Sequence, residues 1–179
     1  MRTVKLLKQQ KGFALLEVML AVIVILAAGI GVTKLYQSVT ENSNTQKTED
    51  IAKQVAGVAS QMLSASSDPN DTISTADVIA SGLLTPSVIV NNAIKTPFGV
   101  VTAESDSGTS GDHRQFLVTI DGLPEGPATT LCRDLFSSYA VQLSGGATYA
   151  KSTSDCTGIY SGTGNTVVFG YPKENYEDA

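Results

Sequence analysis

The sequence predicts an α+β fold in which a long N-terminal α-helical spine, apolar in its first half, packs on an antiparallel β-sheet with short helices. Two observations carry this prediction. No proline occurs before Pro69, and apolar residues recur at helical spacing through much of that stretch. Beyond it, short apolar runs alternate with clusters of Gly, Ser, Asp and Pro, which is typical of strands and turns.

A basic N-terminal stretch is followed by a long apolar one. Residues 1–12 contain four cations and no acid, whereas residues 13–32 read FALLEVMLAVIVILAAGIGV. About 20 apolar residues are enough to span a bilayer as a helix, and the positive-inside rule places the N-terminus in the cytoplasm. On hydropathy alone, a plain uncleaved anchor is favoured. Signal-peptide cleavage behind Ala27-Ala28-Gly29 is a less favoured alternative, because the apolar run continues past it.

Glu17 is the only charged residue in this apolar run. An ionised carboxylate in hydrocarbon is costly unless it neutralises or finds a partner. Cleavage before Phe13 would create an α-amine close by, and a neighbouring copy shifted along the axis could place its Glu17 beside that amine. We therefore interpret Glu17 as the residue that fixes the register of helix assembly. The alternative is a carboxylate near the membrane surface that snorkels into the headgroups.

The spine helix is predicted to extend from Phe13 to about Ser64. Its polar half carries apolar residues at helical spacing in two groups: Val32, Leu35, Tyr36 and Val39, then Ile51, Val55, Val58, Ala59 and Met62. Such spacing usually marks a helix that packs on a core. Gly29 and Gly31 lie in the apolar half, and they favour either local unwinding or close helix packing.

The residues after the spine predict a mixed head. A turn is expected at 67–71. Ser74 and Asp77 have the spacing of a capping box, which predicts a short helix that ends near Gly82. Strands are expected at residues 98–104, 115–121, 147–152 and 166–171, a further helix at 127–139, and a charged, exposed end at 173–178.

Charge and composition favour an exported protein that is not an enzyme. The chain has 12 basic and 17 acidic residues, a net charge of −5, and removal of the four leader cations leaves a net charge of −9. An acidic balance argues against nucleic-acid binding. No catalytic constellation is evident, and the single histidine, His113, is interpreted as a solvated loop residue. Glu104, Asp106 and Asp112 flank a Ser/Gly loop that could bind Ca²⁺ through oxygens, but this is the less favoured alternative because their spacing is not that of an EF-hand loop. We therefore expect no catalytic residue, metal or cofactor.

Cys132 and Cys156 are the only cysteines in the chain. An even pair in an exported segment predicts a disulfide, and closing the loop between them would stabilise the fold by about 3 kcal/mol in the chain-entropy model. Two reduced, buried thiols are the alternative. A metal site is less favoured, because His113 is far from both cysteines in sequence.

The junction Lys11-Gly12-Phe13-Ala14-Leu15-Leu16-Glu17-Val18 resembles the class III signal of type IV prepilins. This resemblance implies that a prepilin peptidase cleaves between Gly12 and Phe13 and that the new amino group is methylated. It also implies an assembly role for Glu17 and agrees with a disulfide between Cys132 and Cys156, because type IV pilins commonly carry one near the C-terminus.

A second match lies in the head and is similar to the central pattern of type IVb pilins, which include the toxin-coregulated and conjugative thin-pilus kinds. It consists of Thr96-Pro97-Phe98-Gly99-Val100-Val101, Phe116 to Ile120, Gly122-Leu123-Pro124 and Cys132. The leader is shorter than type IVb leaders usually are, and Phe13 is more usual in type IVa pilins.

The resemblance implies a domain order, removal of a leader and a change of location on assembly. Residues 1–12 would be a cytoplasmic leader that is removed, residues 13–66 the spine helix, with 13–33 as transmembrane segment and later filament core, and residues 67–179 the head. The precursor would lie in the bacterial inner membrane and the mature subunit in an extracellular pilus, or fimbrium. The implied partners are copies of the same chain, the prepilin peptidase and the pilus assembly machinery.

Three other functions remain open from the sequence. They are a minor pilin or tip adhesin, a pseudopilin of type II secretion, and a membrane-anchored periplasmic binding domain that never polymerises.

Overall fold

A computed structural model describes residues 10–66, 72–106, 115–143 and 148–177, and for residues 10–15, 27–31, 175 and 177 it describes the backbone alone. The helices are α1 (Gln10–Ala65), α2 (Thr75–Ala80), α3 (Glu125–Phe136) and α4 (Glu174–Glu177). The strands are β1 (Ile89–Val90), β2 (Ala93–Lys95), β3 (Val100–Asp106), β4 (Gln115–Leu123), β5 (Ala140–Gln142) and β6 (Asn165–Tyr171). The predicted turn at 67–71 and His113 lie outside the described residues.

The chain divides into two compact units, residues 1–41 and 42–179, and the division falls inside α1. α1 is a continuous helix close to the predicted range, and Gly29 and Gly31 lie within it without local unwinding of the backbone. The second half of the spine helix therefore belongs to the same unit as the head.

In the second unit, one face of α1 is buried in the core. Most of its buried residues lie three or four residues apart along the helix: Thr45, Thr48, Ala52, Val55, Ala56, Val58, Ala59 and Leu63. Most are small, so that the helix backbone can lie close to the sheet. The apolar ones belong to one cluster with the inward-facing residues of the strands, among them Val101, Val118 and Phe169.

All six strands form one antiparallel sheet in the order β1-β2-β3-β4-β6-β5. In β4, Phe116, Val118 and Ile120 are buried, while Leu117 and Thr119 between them are half-buried. This alternation is expected because successive side chains of a strand point to opposite faces of a sheet. The predicted strands at 98–104, 115–121 and 166–171 are confirmed within a few residues by β3, β4 and β6.

β1 and β2 form a hairpin that the sequence analysis did not predict. The two central residues of its turn, Asn91 and Asn92, have φ angles of 52° and 59°, and Val90 pairs with Ala93 on either side of them. A two-residue hairpin of this type needs positive φ at both central positions, and asparagine adopts that conformation more readily than most residues. The consecutive asparagines Asn91 and Asn92 were the sequence signal from which this turn could have been predicted.

Gly99 and Gly122, both part of the pilin-like pattern, lie side by side in the structure. A Cβ atom on Gly99 would lie 2.0 Å from the backbone oxygen of Asp121, and Gly122 has a φ of +84°. The register between β4 and β6 shifts between Ile120 and Leu123, at the same place. Both glycines are therefore required because two backbones approach closely at an irregularity of the sheet.

The predicted strand at 147–152 is wrong. Among its described residues only Tyr149 forms a β-bridge, to Gln142, and a 3-10 turn follows at Thr153–Cys156. The Asp155 carboxylate accepts hydrogen bonds from the backbone N–H groups of Lys151 (2.8 Å) and Ser152 (2.9 Å). A capping box made by Ser152 and Asp155 thus begins a turn where alternation predicted a strand.

α2 begins with the predicted capping box at Ser74 and Asp77, and Gly82 beyond its end has a φ of +68°. Its first residue, Thr75, covers a part of β3 that β2 does not reach. The Thr75 hydroxyl accepts from Ala103 N (2.9 Å) and donates to Ala103 O (3.1 Å). This contact provides hydrogen-bond partners for the backbone N–H and C=O of Ala103, which would lack them at an unpaired strand edge.

Candidate assembly and processing site

The predicted processing and assembly residues all lie in the first unit. The backbones of Gly12 and Phe13 lie in the first turn of α1. Glu17 follows about one turn later, and its side chain is exposed. No described residue forms a hydrogen bond or an ion pair with the Glu17 carboxylate. The position that the sequence singled out therefore carries a charge for which the described part of the single chain offers no partner.

Residues 16–26 form what we call the apolar sleeve of α1. Its large apolar side chains are exposed, from 49% for Val22 to 69% for Ile25. They are Leu16, Val18, Met19, Leu20, Val22, Ile23, Val24, Ile25 and Leu26. Successive helical residues point about 100° apart, so these side chains cover all sides of the helix. A helix that is apolar all round is normally buried in protein or lipid.

Within the described part of the chain, no helix combines the length and the apolarity that crossing a membrane requires.

The C-terminal part of the first unit differs from the prediction that its apolar residues pack on a core. Val32, Leu35, Tyr36 and Val39 keep the predicted helical spacing, but their side chains are 66–73% exposed, so the prediction that they pack on a core is wrong for the single chain. The second predicted group does pack on the core. Val55, Val58 and Ala59 are buried, and Ile51 and Met62 are half-buried against the same cluster.

Cys132 and Cys156 are joined by a disulfide, and both residues are fully buried. Cys132 lies on α3, and Cys156 ends the 3-10 turn at 153–156. The Arg133 guanidinium donates a hydrogen bond of 2.8 Å to the Thr157 hydroxyl beside the disulfide. The disulfide closes a segment that contains β5. The predicted helix at 127–139 is found at 125–136, so that Tyr139 lies beyond its end. The Tyr139 ring packs against the Phe169 ring in a tilted arrangement, with ring centroids 4.7 Å apart.

A small group of charges links α1 and α3 in the second unit. Lys53 forms an ion pair of 2.5 Å with Glu49 one turn earlier on α1, and this contact raises the pKa of Lys53. Burial raises the pKa of Asp134 on α3, and the nearby negative charge of Glu49 raises it further. Lys53 and Arg133 partly offset that effect on Asp134. Ionisation of the Asp134 carboxylate is therefore less favourable than ionisation of a free aspartate.

The C-terminal segment is docked through Lys173 and Tyr176, so the prediction of an exposed end at 173–178 is wrong for these two residues, whereas Glu174 between them is exposed. The Lys173 ammonium donates a hydrogen bond of 2.8 Å to Phe136 O at the last turn of α3 and lies 4.2 Å from the centre of the Phe136 ring. This is the end at which a cation stabilises a helix. The cation–ring contact adds to that interaction.

Tyr176 is the buried residue of this segment, with 4% of its surface exposed. A Cβ atom on Gly170 would lie 2.7 Å from its ring, and the Tyr149 ring lies 5.0 Å away. Burial, followed by the negative charge of Asp106, raises the pKa of Tyr176 far above its ordinary value. The only sequence signal for this docking is an isolated tyrosine among charged residues, opposite a glycine that leaves room for its ring.

Among the residues that the structure describes, no three His, Cys, Asp or Glu side chains come together as a metal site.

The fold is similar to that of solved type IV pilins. The crystal structure of the type IVb pilin from Salmonella typhi matches with a TM-score of 0.51 and 14% identity, over 68% of this chain and 95% of that chain. TcpA, a type IV pilin from the El Tor biotype of Vibrio cholerae, matches with a TM-score of 0.49 and 17% identity, over 72% and 98%. Comparison with family models gives no match, and comparison with curated proteins gives no significant one.

The likeness to the Salmonella protein identifies the fold class: this chain has the type IV pilin fold, a long helix followed by an antiparallel sheet. The solved example is a type IVb pilin. The predicted α+β class is confirmed.

Proposed function

We propose that this chain is a structural subunit of a type IV pilus, and not an enzyme. In this proposal a prepilin peptidase cuts between Gly12 and Phe13, and the new amino group is methylated. Residues 13–33 hold the precursor in the inner membrane, and the assembly machinery then polymerises it into an extracellular filament. The observation that carries the proposal is the exposed apolar sleeve on a helix that continues into a head with the type IV pilin fold.

The apolar sleeve supplies the driving force for burial. Each side chain of this size gains about 1.5–3 kcal/mol of free energy when it leaves water. If other copies cover these side chains, no folded part of the second unit is needed to do so. In a bilayer the gain comes from lipid, and in a filament it comes from helices of other copies. Transfer from lipid to filament keeps the apolar side chains out of water, so the additional contacts that favour assembly must come from packing and from polar pairs.

Glu17 supplies the polar pair. Cleavage before Phe13 would leave an α-amine on the helix, and a neighbouring helix displaced by about one turn, roughly 6 Å, would bring its amine level with this carboxylate. Opposite charges attract strongly where water is excluded, and removal of one partner leaves the other buried and unpaired. The pair therefore favours one axial register among the many that a uniform apolar surface would allow.

Glu17→Ala tests the proposal, with Glu41→Ala as the matched control because Glu41 is an acid of the same unit outside the apolar sleeve. We expect intact mass to show mature subunits that begin at Phe13 and carry one added methyl group. Electron microscopy should show surface filaments for the wild type and Glu41→Ala and none for Glu17→Ala. A protein that retains residues 1–12, or a Glu17→Ala variant that assembles like the wild type, would contradict the proposal.

The same experiment separates the other functions. A membrane-anchored binding domain that does not polymerise would keep residues 1–12 and tolerate Glu17→Ala. A minor pilin or tip adhesin would be processed but scarce in purified filaments, whereas a major subunit dominates them. A type II secretion pseudopilin would be processed without appearing in surface filaments at native expression.

A further inference from the structure

A pocket of about 290 Å³ lies in the second unit, between the C-terminal part of α1 and the end of the sheet where β4 begins and β6 ends. In the described part of the chain, it is lined by Ser60, Leu63, Ser64, Phe116, Tyr171 and Pro172. Leu63 and Phe116 are buried, whereas Ser64 and Tyr171 are exposed. The pocket therefore leads from the surface to the edge of the apolar core.

The α1 side of the pocket is formed by two serines. Ser60 and Ser64 are one helical turn apart, so they lie on the same side of α1, and their short side chains leave space that a longer side chain would fill. The Ser64 hydroxyl donates a hydrogen bond of 2.9 Å to Gln61 O. The half-buried Ser60 forms no hydrogen bond through its hydroxyl with any described residue. Its hydroxyl is therefore available to a ligand.

The sheet side of the pocket is aromatic. The Phe116 and Tyr171 rings have centroids 5.6 Å apart and are tilted by 34°, and the Tyr139 ring lies 6.2 Å from the Tyr171 ring. Aromatic rings attract one another at centroid distances of about 4.5–7 Å, so a ring bound in the pocket would extend this cluster. An apolar cavity of about 150 Å³ is enough for benzene. The volume of this pocket therefore suits one ring or two fused rings.

The lining also excludes other ligand classes. Among the described residues, no charged side chain and no carboxamide lines the pocket. A charged ligand would lose water without gaining a partner, and one free serine cannot satisfy the many hydroxyls of a sugar. We propose that the pocket binds a small uncharged aromatic compound of the phenol or indole class. Its ring would lie against Phe116 and Tyr171, and its single polar group would hydrogen-bond to Ser60.

Indole binding to the chain in lipid nanodiscs tests this inference, with empty nanodiscs as the blank for partition into lipid. The chain contains no tryptophan, so emission excited where tyrosine does not absorb comes from the probe alone. We expect saturable binding with a Kd of about 1 mM or tighter. Ser60→Leu fills the pocket and should raise the Kd at least about tenfold. Ser43→Leu, at an exposed serine of α1 outside the pocket, is the matched control and should leave the Kd within about twofold.

Indene has the shape of indole without its N–H group, and its binding is measured by displacement of indole. Ser60→Ala should weaken indole binding by about three- to tenfold, the value of one hydrogen bond, and leave indene binding within about twofold. Equal weakening of both probes would overturn the assigned contact with Ser60. Ser64→Leu is a second variant that fills the pocket, and it replaces Ser60→Leu if that variant does not fold.

The inference is overturned if the wild type shows no saturable indole binding above empty nanodiscs. It is also overturned if a folded variant that fills the pocket binds indole as tightly as the wild type, or if glucose or benzoate displaces indole more strongly than indene does. None of these measurements needs filaments or cleavage before Phe13. Failure of the proposed function and failure of this inference are therefore observed separately.

Discussion

The apolar side chains of the two halves of α1 stand in opposite environments. In the first unit, the large apolar side chains of the sleeve are about half to three-quarters exposed, and so are Val32, Leu35, Tyr36 and Val39 beyond it. In the second unit, Val55 and Ala59 are fully buried against the sheet. One covalent helix thus contains a half that its own chain covers and a half that it does not.

The comparison separates folding from assembly. The buried half is lined by small residues on one face, with exposed polar residues such as Gln46 and Asp50 elsewhere, as expected for a helix packed on a sheet. The sleeve is apolar on every side. Such a surface is kept out of water only when protein or lipid surrounds the helix. Substitutions in the second half should therefore change the free energy of unfolding, and substitutions in the first half should change association instead.

Val55→Asn and Val32→Asn form the strongest test of this separation. Val55 is fully buried, so an amide placed there loses packing and lacks hydrogen-bond partners, at a cost of about 3 kcal/mol or more. Val32 is 66% exposed, and the same substitution should change the stability of the unassembled chain by less than about 0.5 kcal/mol. Thermal unfolding of the mature chain in detergent measures both. Equal losses would show that the first half is covered by its own chain.

Removal of the disulfide should weaken the second unit alone. Cys132→Ser combined with Cys156→Ser releases a loop of 24 residues, and we expect a loss of about 3 kcal/mol in the free energy of unfolding. Because both sulfur atoms are buried, the wild type should resist mild reductant under native conditions. The helical signal of the first unit, followed in lipid or detergent, should persist in the double variant. Its loss together with the head would contradict the separation of the two units.

Much of the fold could be predicted from local sequence patterns, and the errors have physical reasons. The spine helix, the capping box at Ser74 and three strands follow from periodicity and side-chain chemistry that act over a few residues. The strand expected at 147–152 failed because Asp155 captures two backbone N–H groups there. The docking of Tyr176 depends on Gly170 and Tyr149, which only the folded chain brings together, so no local pattern predicts it.

The candidate site was predictable to a different extent. Glu17 stands out because a charge in an apolar run is costly, an argument that needs no structure. The exposure of Val32, Leu35, Tyr36 and Val39 was not predictable, because their helical spacing is the same as that of a helix face packed on the core of its own chain. Only the structure shows that these four side chains are exposed.

Two glycine substitutions in the second unit should have opposite effects. On Gly170, a methyl group would meet the Tyr176 ring at 2.7 Å, so Gly170→Ala should displace the C-terminal segment and cost about 1–2 kcal/mol. Gly57 lies in α1 with no atom within 4 Å of such a methyl group. Gly57→Ala should therefore stabilise the fold by up to about 1 kcal/mol. Denaturant midpoints of the mature chain measure both changes, and the docking argument fails if Gly170→Ala is neutral.

The smallest expected effect concerns the charges of α1 and α3 around Asp134. Burial and the charge of Glu49 raise the folded-state pKa of Asp134 above its ordinary value of 3.8, so the ionised carboxylate is disfavoured by folding. Its cost to stability is present above the folded pKa and disappears as the pH falls below the unfolded pKa. Asp134→Asn should therefore stabilise the fold at pH 7, by less than about 0.5 kcal/mol because the side chain is exposed and screened.

At a pH of about 3 the aspartate is protonated in both states, so the gain from Asp134→Asn should vanish. Asp50→Asn is the matched control, since Asp50 is an exposed acid of α1 that forms no ion pair with the described residues. Its midpoint should equal that of the wild type at both pH values. A gain from Asp134→Asn that persists at low pH would contradict this explanation, because neither the burial of the ionised carboxylate nor the charge of Glu49 acts on a protonated Asp134.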